Sequence, residues 1–243
     1  MKTAVVIPAR YASSRFPGKP LYLINNKPLI LHVVNKVSKC KNIDCMAVAT
    51  DDKRIYDVVK KAGCNVFMTP KNLKSGTDRV AYVAKKYLSK YDAFINVQGD
   101  EPLIDIKLVE KMSEEFKKDK KLEYLTAAYK MKPSDDIANP NTVKVIFDKN
   151  MYALYFSRYP IPFVRDEKNR NKISYYKHIG VYGYTKKFVC EFTKSKQTPL
   201  EISESLEQLR ALEQGKKIKV IISKKDFHDV NVLEDINKVK KYL

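Results

Sequence analysis

Short apolar runs alternate with amphipathic stretches through the first half of the chain. The apolar runs are Ala4–Ile7, Met46–Ala49, Val66–Met68 and Ala93–Val97. A continuous apolar run of this length is typical of a parallel strand that is buried on both faces. Between the runs, apolar residues recur at helical spacing, and helices are predicted from Pro28, over 52–62, over Thr77–Leu88 and across Val109–Phe116. This alternation predicts an α/β fold with a mostly parallel sheet covered on both faces.

The second half of the chain has a less regular pattern. Strands are predicted at Leu125–Tyr129, Val143–Phe147, His178–Tyr184 and Ile218–Ile222, and helices at Leu200–Gln214 and Leu233–Leu243. No linker or low-complexity tract divides the chain. We therefore expect one domain over residues 1–243, with residues 130–190 as an inserted lobe.

The composition excludes several classes of protein. Hydrophobic residues make up 44% and charged residues 31% of the 243 positions, which excludes a wholly disordered chain. No apolar run approaches the ~18 residues of a membrane span, and the apolar stretch before Arg10 is too short for a signal peptide. We therefore expect a cytoplasmic protein that does not enter a membrane. The four cysteines include no Cys-x-x-Cys pair, so reduced thiols are expected.

The formal net charge is +19, from 47 Lys and Arg against 28 Asp and Glu. Such an excess is found in proteins that bind nucleic acid. Here the lysines are dispersed over the polar faces of nearly all predicted helices, which favours a solvated surface. A nucleic-acid-binding protein on an α/β scaffold stays open as an alternative. The charge would also favour encounter with an anionic substrate.

The loop after the first predicted strand has three fixed cations within ten residues, Arg10, Arg15 and Lys19. Guanidinium groups and an ammonium with hydroxyls between them suit a polyphosphate. The loop is not a P-loop, because it lacks that motif's first glycine and its final Ser or Thr, and the chain has no Gly-x-Gly-x-x-Gly. The alternative is a solvated basic loop.

Two further segments stand where a parallel sheet binds ligands. Ser75 and Gly76 begin a predicted helix, which suits an anion or simply an N-cap. Asp100 follows the fourth strand, where a carboxylate can hold Mg²⁺ on phosphates or make a local turn.

The segment Phe227–Asn231 offers a second carboxylate. His178, Glu207 and Gln208 are as compatible with structural or solvated roles.

Several motifs together resemble the 3-deoxy-manno-octulosonate cytidylyltransferase (CMP-Kdo synthetase) family. They are IPARYASSRFPGKPL (7–21), ATDD (49–52), SGTDR (75–79), NVQGDEPLI (96–104), NPNTVKV (139–145), ALYFSR (153–158), KHIGVYGY (177–184) and PLEISESLEQLRAL (199–212). The resemblance implies a Rossmann-like nucleotide-diphospho-sugar transferase fold, with the inserted lobe forming a homodimer. It implies that CTP and Kdo, an acidic eight-carbon sugar, give CMP-Kdo and pyrophosphate with Mg²⁺, for lipopolysaccharide or capsule biosynthesis.

The resemblance also implies roles for individual residues. The nucleotide side comprises Ala9, Arg10, Arg15, Lys19, Ser75 and Gly76. The sugar side comprises Gln98, His178, Tyr182, Glu207 and Gln208. Arg10, Lys19 and Asp100 are the expected catalytic residues, and Asp100 is also a Mg²⁺ ligand.

One stretch departs from the family pattern. The family usually has Gly-Val-Asp-Thr-Pro-Glu-Asp-Leu near its end, whose first Asp helps to hold the metal. This chain has Asn231 at that position and Asp229 in place of the glycine. Asp229 and Asn231 are therefore both candidate metal ligands. Another acidic sugar, an amino-Kdo or a sialic-acid-like ulosonate, is the alternative acceptor.

Overall fold

The computed structural model describes residues 1–12, 16–227, 229–230 and 232–243. Its strands are β1 (Thr3–Ala9), β2 (Leu23–Ile24), β3 (Lys27–Pro28), β4 (Cys45–Thr50), β5 (Val66–Met68), β6 (Ala93–Asn96), β7 (Tyr124–Lys130), β8 (Lys144–Phe147), β9 (Ala153–Ser157), β10 (Tyr176–Thr185) and β11 (Lys219–Ser223). Its α-helices are α1 (Leu29–Val37), α2 (Lys53–Lys61), α3 (Gly76–Lys86), α4 (Ile106–Lys118), α5 (Lys186–Phe192), α6 (Pro199–Glu204), α7 (Gln208–Glu213) and α8 (Asp235–Lys240). Short 3₁₀ helices span Lys19–Leu21 and Glu167–Lys172.

The chain divides into two compact units. The first unit comprises Met1–Leu122, Val181–Thr193 and Phe227–Leu243, and the second comprises Glu123–Gly180 and Lys194–Asp226. The lobe predicted at residues 130–190 overlaps the second unit, which begins earlier and includes a later segment. Its role in dimer formation stays a prediction.

The first unit is built on a parallel sheet in the order β5-β4-β1-β6. All seven residues of β1 are buried, as its apolar sequence predicts. The second half of β10 adds an antiparallel strand beside β6. Because β1 and β6 are parallel, the loops that follow Ala9 and Asn96 leave the same edge of the sheet.

The second unit pairs β7 with β11 in parallel, and the first half of β10 lies beside β7. Strand β8 pairs antiparallel with β9 and with β10. The predicted α/β class with a mostly parallel sheet is confirmed. Strand β9 had not been identified from the sequence.

The helices of the first unit begin at polar residues that cap them. Asp52 accepts a hydrogen bond from the Arg54 amide at the start of α2, and Asp105 accepts one from the Lys107 amide at the start of α4. Side-chain oxygens there satisfy amide groups that have no partner within a helix. The predicted helix boundaries in this unit agree with the structure to within a few residues.

The single helix predicted over Leu200–Gln214 is wrong. Helix α6 ends at Glu204, Ser205 is left-handed with φ +51°, and α7 begins at Gln208. The Glu204 carbonyl, at the end of α6, accepts a hydrogen bond from Arg158 Nε at 2.7 Å. A contact from a residue 46 positions away was not visible in the local periodicity.

Within the described residues, no helix is both long enough and apolar enough to cross a membrane. The four cysteines carry thiols, as predicted. Burial raises the pKa of Cys40 to about 12, with smaller contributions from Glu110 and Asp105. That thiol therefore stays protonated at neutral pH.

Candidate active site

A cleft of about 320 Å³ opens in the first unit, where β1 and β6 end. Its lining contains six predicted site residues, which are Ala9, Arg10, Lys19, Gly76, Gln98 and Asp100. Pro8, Ala12, Pro20 and Gly99 also line it and had not been predicted. The parallel sheet thus brings the loops after β1 and β6 together with the start of α3.

Gly99 allows the two loops to approach closely. A Cβ at this position would lie 2.9 Å from the carbonyl oxygen of Pro8 and 3.4 Å from the Ala9 Cβ. The first distance is shorter than a real Cβ tolerates, and the contacting atom belongs to the backbone. In the sequence, the available signal was a glycine between Gln98 and Asp100, because glycine is the residue that permits so close a backbone approach.

Lys19 bonds two segments that are distant in the sequence, at Asp100 and at Val230. Its ammonium donates a hydrogen bond to Asp100 Oδ2 and another, at 2.7 Å, to the Val230 carbonyl. The Val230 amide donates to the Asp100 carbonyl at 2.9 Å. The Lys19 and Asp100 side chains are only 12% and 23% exposed. Their charges therefore interact more strongly than those of a surface pair.

Arg10 and Ser75 lie at the edge formed by the start of α3. Arg10 is exposed, and its Nη1 donates to the Lys74 carbonyl at 3.1 Å. Ser75 caps α3, and its hydroxyl accepts from the Asp78 amide while the Asp78 carboxylate accepts from the Ser75 amide. The N-cap interpretation of Ser75 therefore holds in this structure. A role for Ser75 in nucleotide binding stays a prediction.

Arg79 lies buried in the first turns of α3. Its guanidinium donates to Asp51 Oδ2 at 2.6 Å and to the Thr69 hydroxyl. Burial lowers the pKa of Arg79, and the neighbouring Asp51 opposes that shift. The pair joins α3 to the segments that follow β4 and β5.

Gln98 and Tyr182 are each connected to Asn96. Gln98 Nε2 donates to Asn96 Oδ1 at 3.1 Å, and Tyr182 is the register partner of Asn96 across β6 and β10. Tyr182 is partly buried and its ring lies near-parallel to that of Tyr184. Asn96 thus links the two predicted sugar-side residues that belong to the first unit.

His178 is in the second unit and is buried there. Its Nε2 lies 2.9 Å from the Thr126 hydroxyl, and its ring packs edge-on to Phe156 with centroids 4.9 Å apart. Burial lowers the pKa of His178 to about 3. The imidazole is therefore neutral at pH 7 and acts by hydrogen bonding rather than by charge.

Glu207 and Gln208 stand at the start of α7 in the second unit. Glu207 is half-buried and Gln208 is buried, so the interpretation of Gln208 as a solvated residue is wrong. Just before them, the Glu204 carboxylate accepts from the Ser157 hydroxyl at 2.7 Å and from the Arg158 amide at 2.9 Å. These bonds hold the corner between α6 and α7 against the end of β9.

The first unit's cleft contains Asp100, a carboxylate of the kind that binds magnesium. Within residues 1–12, 16–227, 229–230 and 232–243, no cluster of three or more His, Cys, Asp or Glu side chains could hold a metal. Mg²⁺ is usually held by one or two carboxylates together with substrate phosphates. Asp100 supplies such a carboxylate, and the exposed Asp229 adjoins Val230, which bonds the Asp100 backbone. Arg15 and Asn231 lie outside the described residues.

The sequence matches one family model and several named proteins over most or all of its length. The model of the cytidylyltransferase family matches residues 4–218. A 3-deoxy-manno-octulosonate cytidylyltransferase of Fusobacterium nucleatum is 47% identical, over 100% of this chain and 97% of that protein. An 8-amino-3,8-dideoxy-manno-octulosonate cytidylyltransferase of Shewanella frigidimarina is also 47% identical, over 98% of this chain and 97% of that protein.

A solved structure is similar in fold. It is a CMP:2-keto-3-deoxy-manno-octonic acid synthetase complexed with CTP, with a TM-score of 0.94 and 37% identity. The match covers 100% of this chain and 98% of that one.

Proposed function

This chain belongs to the 3-deoxy-manno-octulosonate cytidylyltransferase family, and we propose that it transfers CMP from CTP to the anomeric hydroxyl of Kdo and releases pyrophosphate. The observation that carries the proposal is the cleft in which Arg10, Lys19 and Asp100 meet. Two cations and a carboxylate at the ends of parallel strands suit a magnesium nucleotide.

The cleft residues would act by positioning and by electrostatics. The sugar hydroxyl attacks the α-phosphorus in line, and the bond to the bridging oxygen of pyrophosphate breaks. Arg10 and Lys19 bind the β- and γ-phosphates and stabilise the charge that develops on the leaving group. The second substrate is held beside the α-phosphorus, so that the reaction becomes effectively unimolecular.

We propose Mg²⁺ as the cofactor, with Asp100 as a ligand and Asp229 as the candidate second carboxylate. When bound, the ion neutralises charge on the phosphates. Lys19 pairs with Asp100 in this structure, so the ammonium would turn toward the phosphates when the metal and nucleotide enter.

The metal assignment is tested by turnover against Mg²⁺ concentration. Asp100→Asn and Asp229→Asn should both lose activity and be partly rescued by more Mg²⁺, because each loses a hard anionic ligand. Asn231→Asp should be tolerated or should lower the Mg²⁺ requirement. An active Asp229→Asn protein with unchanged Mg²⁺ dependence would exclude Asp229 as a ligand.

For the sugar side we propose Gln98, Tyr182, His178, Glu207 and Gln208 as contacts. A neutral His178 can donate a hydrogen bond to a sugar hydroxyl or accept one from it. It cannot form an ion pair with the sugar's carboxylate. The positive charge for that carboxylate must therefore come from a different residue.

The second candidate acceptor is the 8-amino analogue of Kdo, because a relative of equal identity is named for it. The deciding experiment measures pyrophosphate release from CTP with Kdo, 8-amino-3,8-dideoxy-manno-octulosonate and a sialic acid in turn. We expect the highest kcat/KM with Kdo. UTP in place of CTP and the Asp100→Asn variant serve as controls. No release with any of the three sugars would overturn the proposed function.

We further propose a homodimer that acts in the cytoplasm, with its product used for lipopolysaccharide or capsule. Exposed apolar side chains in the second unit support the dimer: Leu154, Tyr159 and Phe163 are 60%, 77% and 82% exposed. Light scattering should give twice the 28.1 kDa chain mass. A gel-shift titration with duplex and single-stranded nucleic acid at several salt concentrations tests the nucleic-acid alternative. Binding with a steep salt dependence would favour that alternative, and we expect no complex.

A further inference from the structure

The loop after β1 is held at Tyr11 by a side chain from α2. The guanidinium carbon of Arg54 lies 3.4 Å from the centroid of the Tyr11 ring. Asp52 accepts two parallel hydrogen bonds from this guanidinium, from Nε at 2.9 Å and from Nη2 at 2.7 Å. A forked pair of this kind fixes the plane of the guanidinium, so the group is oriented before it meets the ring.

Tyr11 also closes the loop at its other end. The Gly18 amide donates to the Tyr11 carbonyl at 2.9 Å. A Cβ on Gly18 would lie 3.1 Å from Tyr11 Cζ and from the hydroxyl oxygen, and Gly18 has φ +72°. Tyr11 follows Arg10, and Gly18 precedes Lys19. One aromatic residue therefore adjoins Arg10 and contacts the residue that precedes Lys19.

We propose that Arg54 is a positioning residue for nucleotide binding, which holds Arg10 and Lys19 in place by stacking on Tyr11. The proposal rests on the proposed function, which assigns those two cations to the triphosphate. Asp52 neutralises the charge of Arg54, and the Arg54 side chain is 58% exposed. Long-range attraction from Arg54 is therefore weak, and its effect passes through the ring.

The test is the affinity for CTP, measured by calorimetry without sugar. Arg54→Met keeps the aliphatic stem and removes the charged plane. Its dissociation constant should rise about two- to fivefold, the factor that a cation–π contact at an exposed site corresponds to. The kcat/KM for CTP should fall by at least the same factor, because Arg10 and Lys19 also stabilise the charge on the leaving group. Arg54→Lys should bind CTP as weakly as Arg54→Met does, because an ammonium cannot form the planar fork.

The adjacent lysine provides a matched control. Lys53 has an 81% exposed side chain and pairs with Asp57 in the same helix. Lys53→Met removes the same charge and should bind CTP as the wild type does. In a Tyr11→Leu background, Arg54→Met should have no further effect on CTP affinity, because the stacking partner is already absent.

Three results would overturn the proposal: full affinity in Arg54→Lys, an Arg54→Met effect no larger than that of Lys53→Met, or an undiminished Arg54→Met effect in the Tyr11→Leu background. A wild-type protein that does not bind CTP would instead overturn the proposed function, and this proposal with it.

Discussion

In the first unit, Arg10 and Lys19 line an open cleft, whereas Lys144 and Arg210 of the second unit are buried. The Lys144 ammonium donates to the carbonyls of Asn139, Thr142 and Arg158, at 3.1, 2.6 and 2.5 Å. Arg210 forms two hydrogen bonds of 2.7 Å with the Glu201 carboxylate.

The difference shows that a net charge of +19 says little about function until each cation's surroundings are known. A buried cation must use its donors on protein oxygens, because leaving water without partners is costly. Lys144 therefore joins two backbone segments, residues 139–142 and the end of β9 at Arg158. Burial lowers the pKa of Lys144, with nearby carboxylates opposing the shift. Arg10 is instead exposed at the cleft, where its guanidinium donates to the Lys74 carbonyl, so it is less constrained than the buried Lys144.

The largest expected effect is on stability, in the second unit. Arg210→Met leaves the Glu201 carboxylate, 5% exposed, without its counter-ion. We expect the free energy of unfolding in urea to fall by about 3–5 kcal/mol. Lys238→Met, which removes a well-exposed cation paired with Asp235, should lower it far less. Equal losses in the two variants would remove the distinction between buried and exposed pairs.

The next effect is on catalysis, in the first unit. Lys19→Ala and Arg10→Ala should each lower the rate of pyrophosphate release by on the order of 10²-fold, because each removes charge that stabilises the leaving group. Their unfolding free energies should change less than that of Arg210→Met. Lys53→Ala is the control for an exposed lysine. Near-normal turnover in both cleft variants would contradict the phosphate assignment.

A smaller effect distinguishes the two substrates. His178→Ala and Gln208→Ala should raise the KM for the sugar by about tenfold, the cost of one lost hydrogen bond, and leave CTP affinity unchanged. Calorimetry with CTP and saturation kinetics with the sugar measure the two quantities separately. Weaker CTP binding with an unaltered sugar KM would place these residues on the nucleotide side.

The last prediction concerns the change in the free energy of unfolding per pH unit, which is the smallest of these effects. The pKa of His178 is about 3 in the folded protein and about 6.5 in an unfolded chain. The unfolded chain therefore takes up a proton below pH 6.5 that the folded one resists, so stability is lost as pH falls from 6.5 toward 3. The free energy of unfolding, measured in urea at each pH, should fall more steeply with decreasing pH in the wild type than in His178→Gln. The difference should be up to about 1.4 kcal/mol per pH unit. Identical slopes would mean that His178 is accessible to water.

Much of the first unit could be predicted because its signals are local. The apolar runs predict β1, β4, β5 and β6, since strands buried on both faces need no alternation. The carboxyl ends of parallel strands then predict where Arg10, Lys19 and Asp100 must lie. The family motifs add roles that neither periodicity nor spacing contains. The second unit was predicted less well, because β9 and the corner at Ser205 depend on Arg158 and Glu204.

The sequence by itself determined the alternation of strands and helices in the first unit, the cations of the first loop and the family, because each follows from neighbouring residues. Only the tertiary structure decided the partners of those cations. Lys19 meets Asp100 and Val230 across 81 and 211 positions of chain. The contact of Arg54 with Tyr11 and the burial of Lys144 arise in the same way. Such contacts depend on how strands and helices pack, and packing is set by the whole chain rather than by any segment of it.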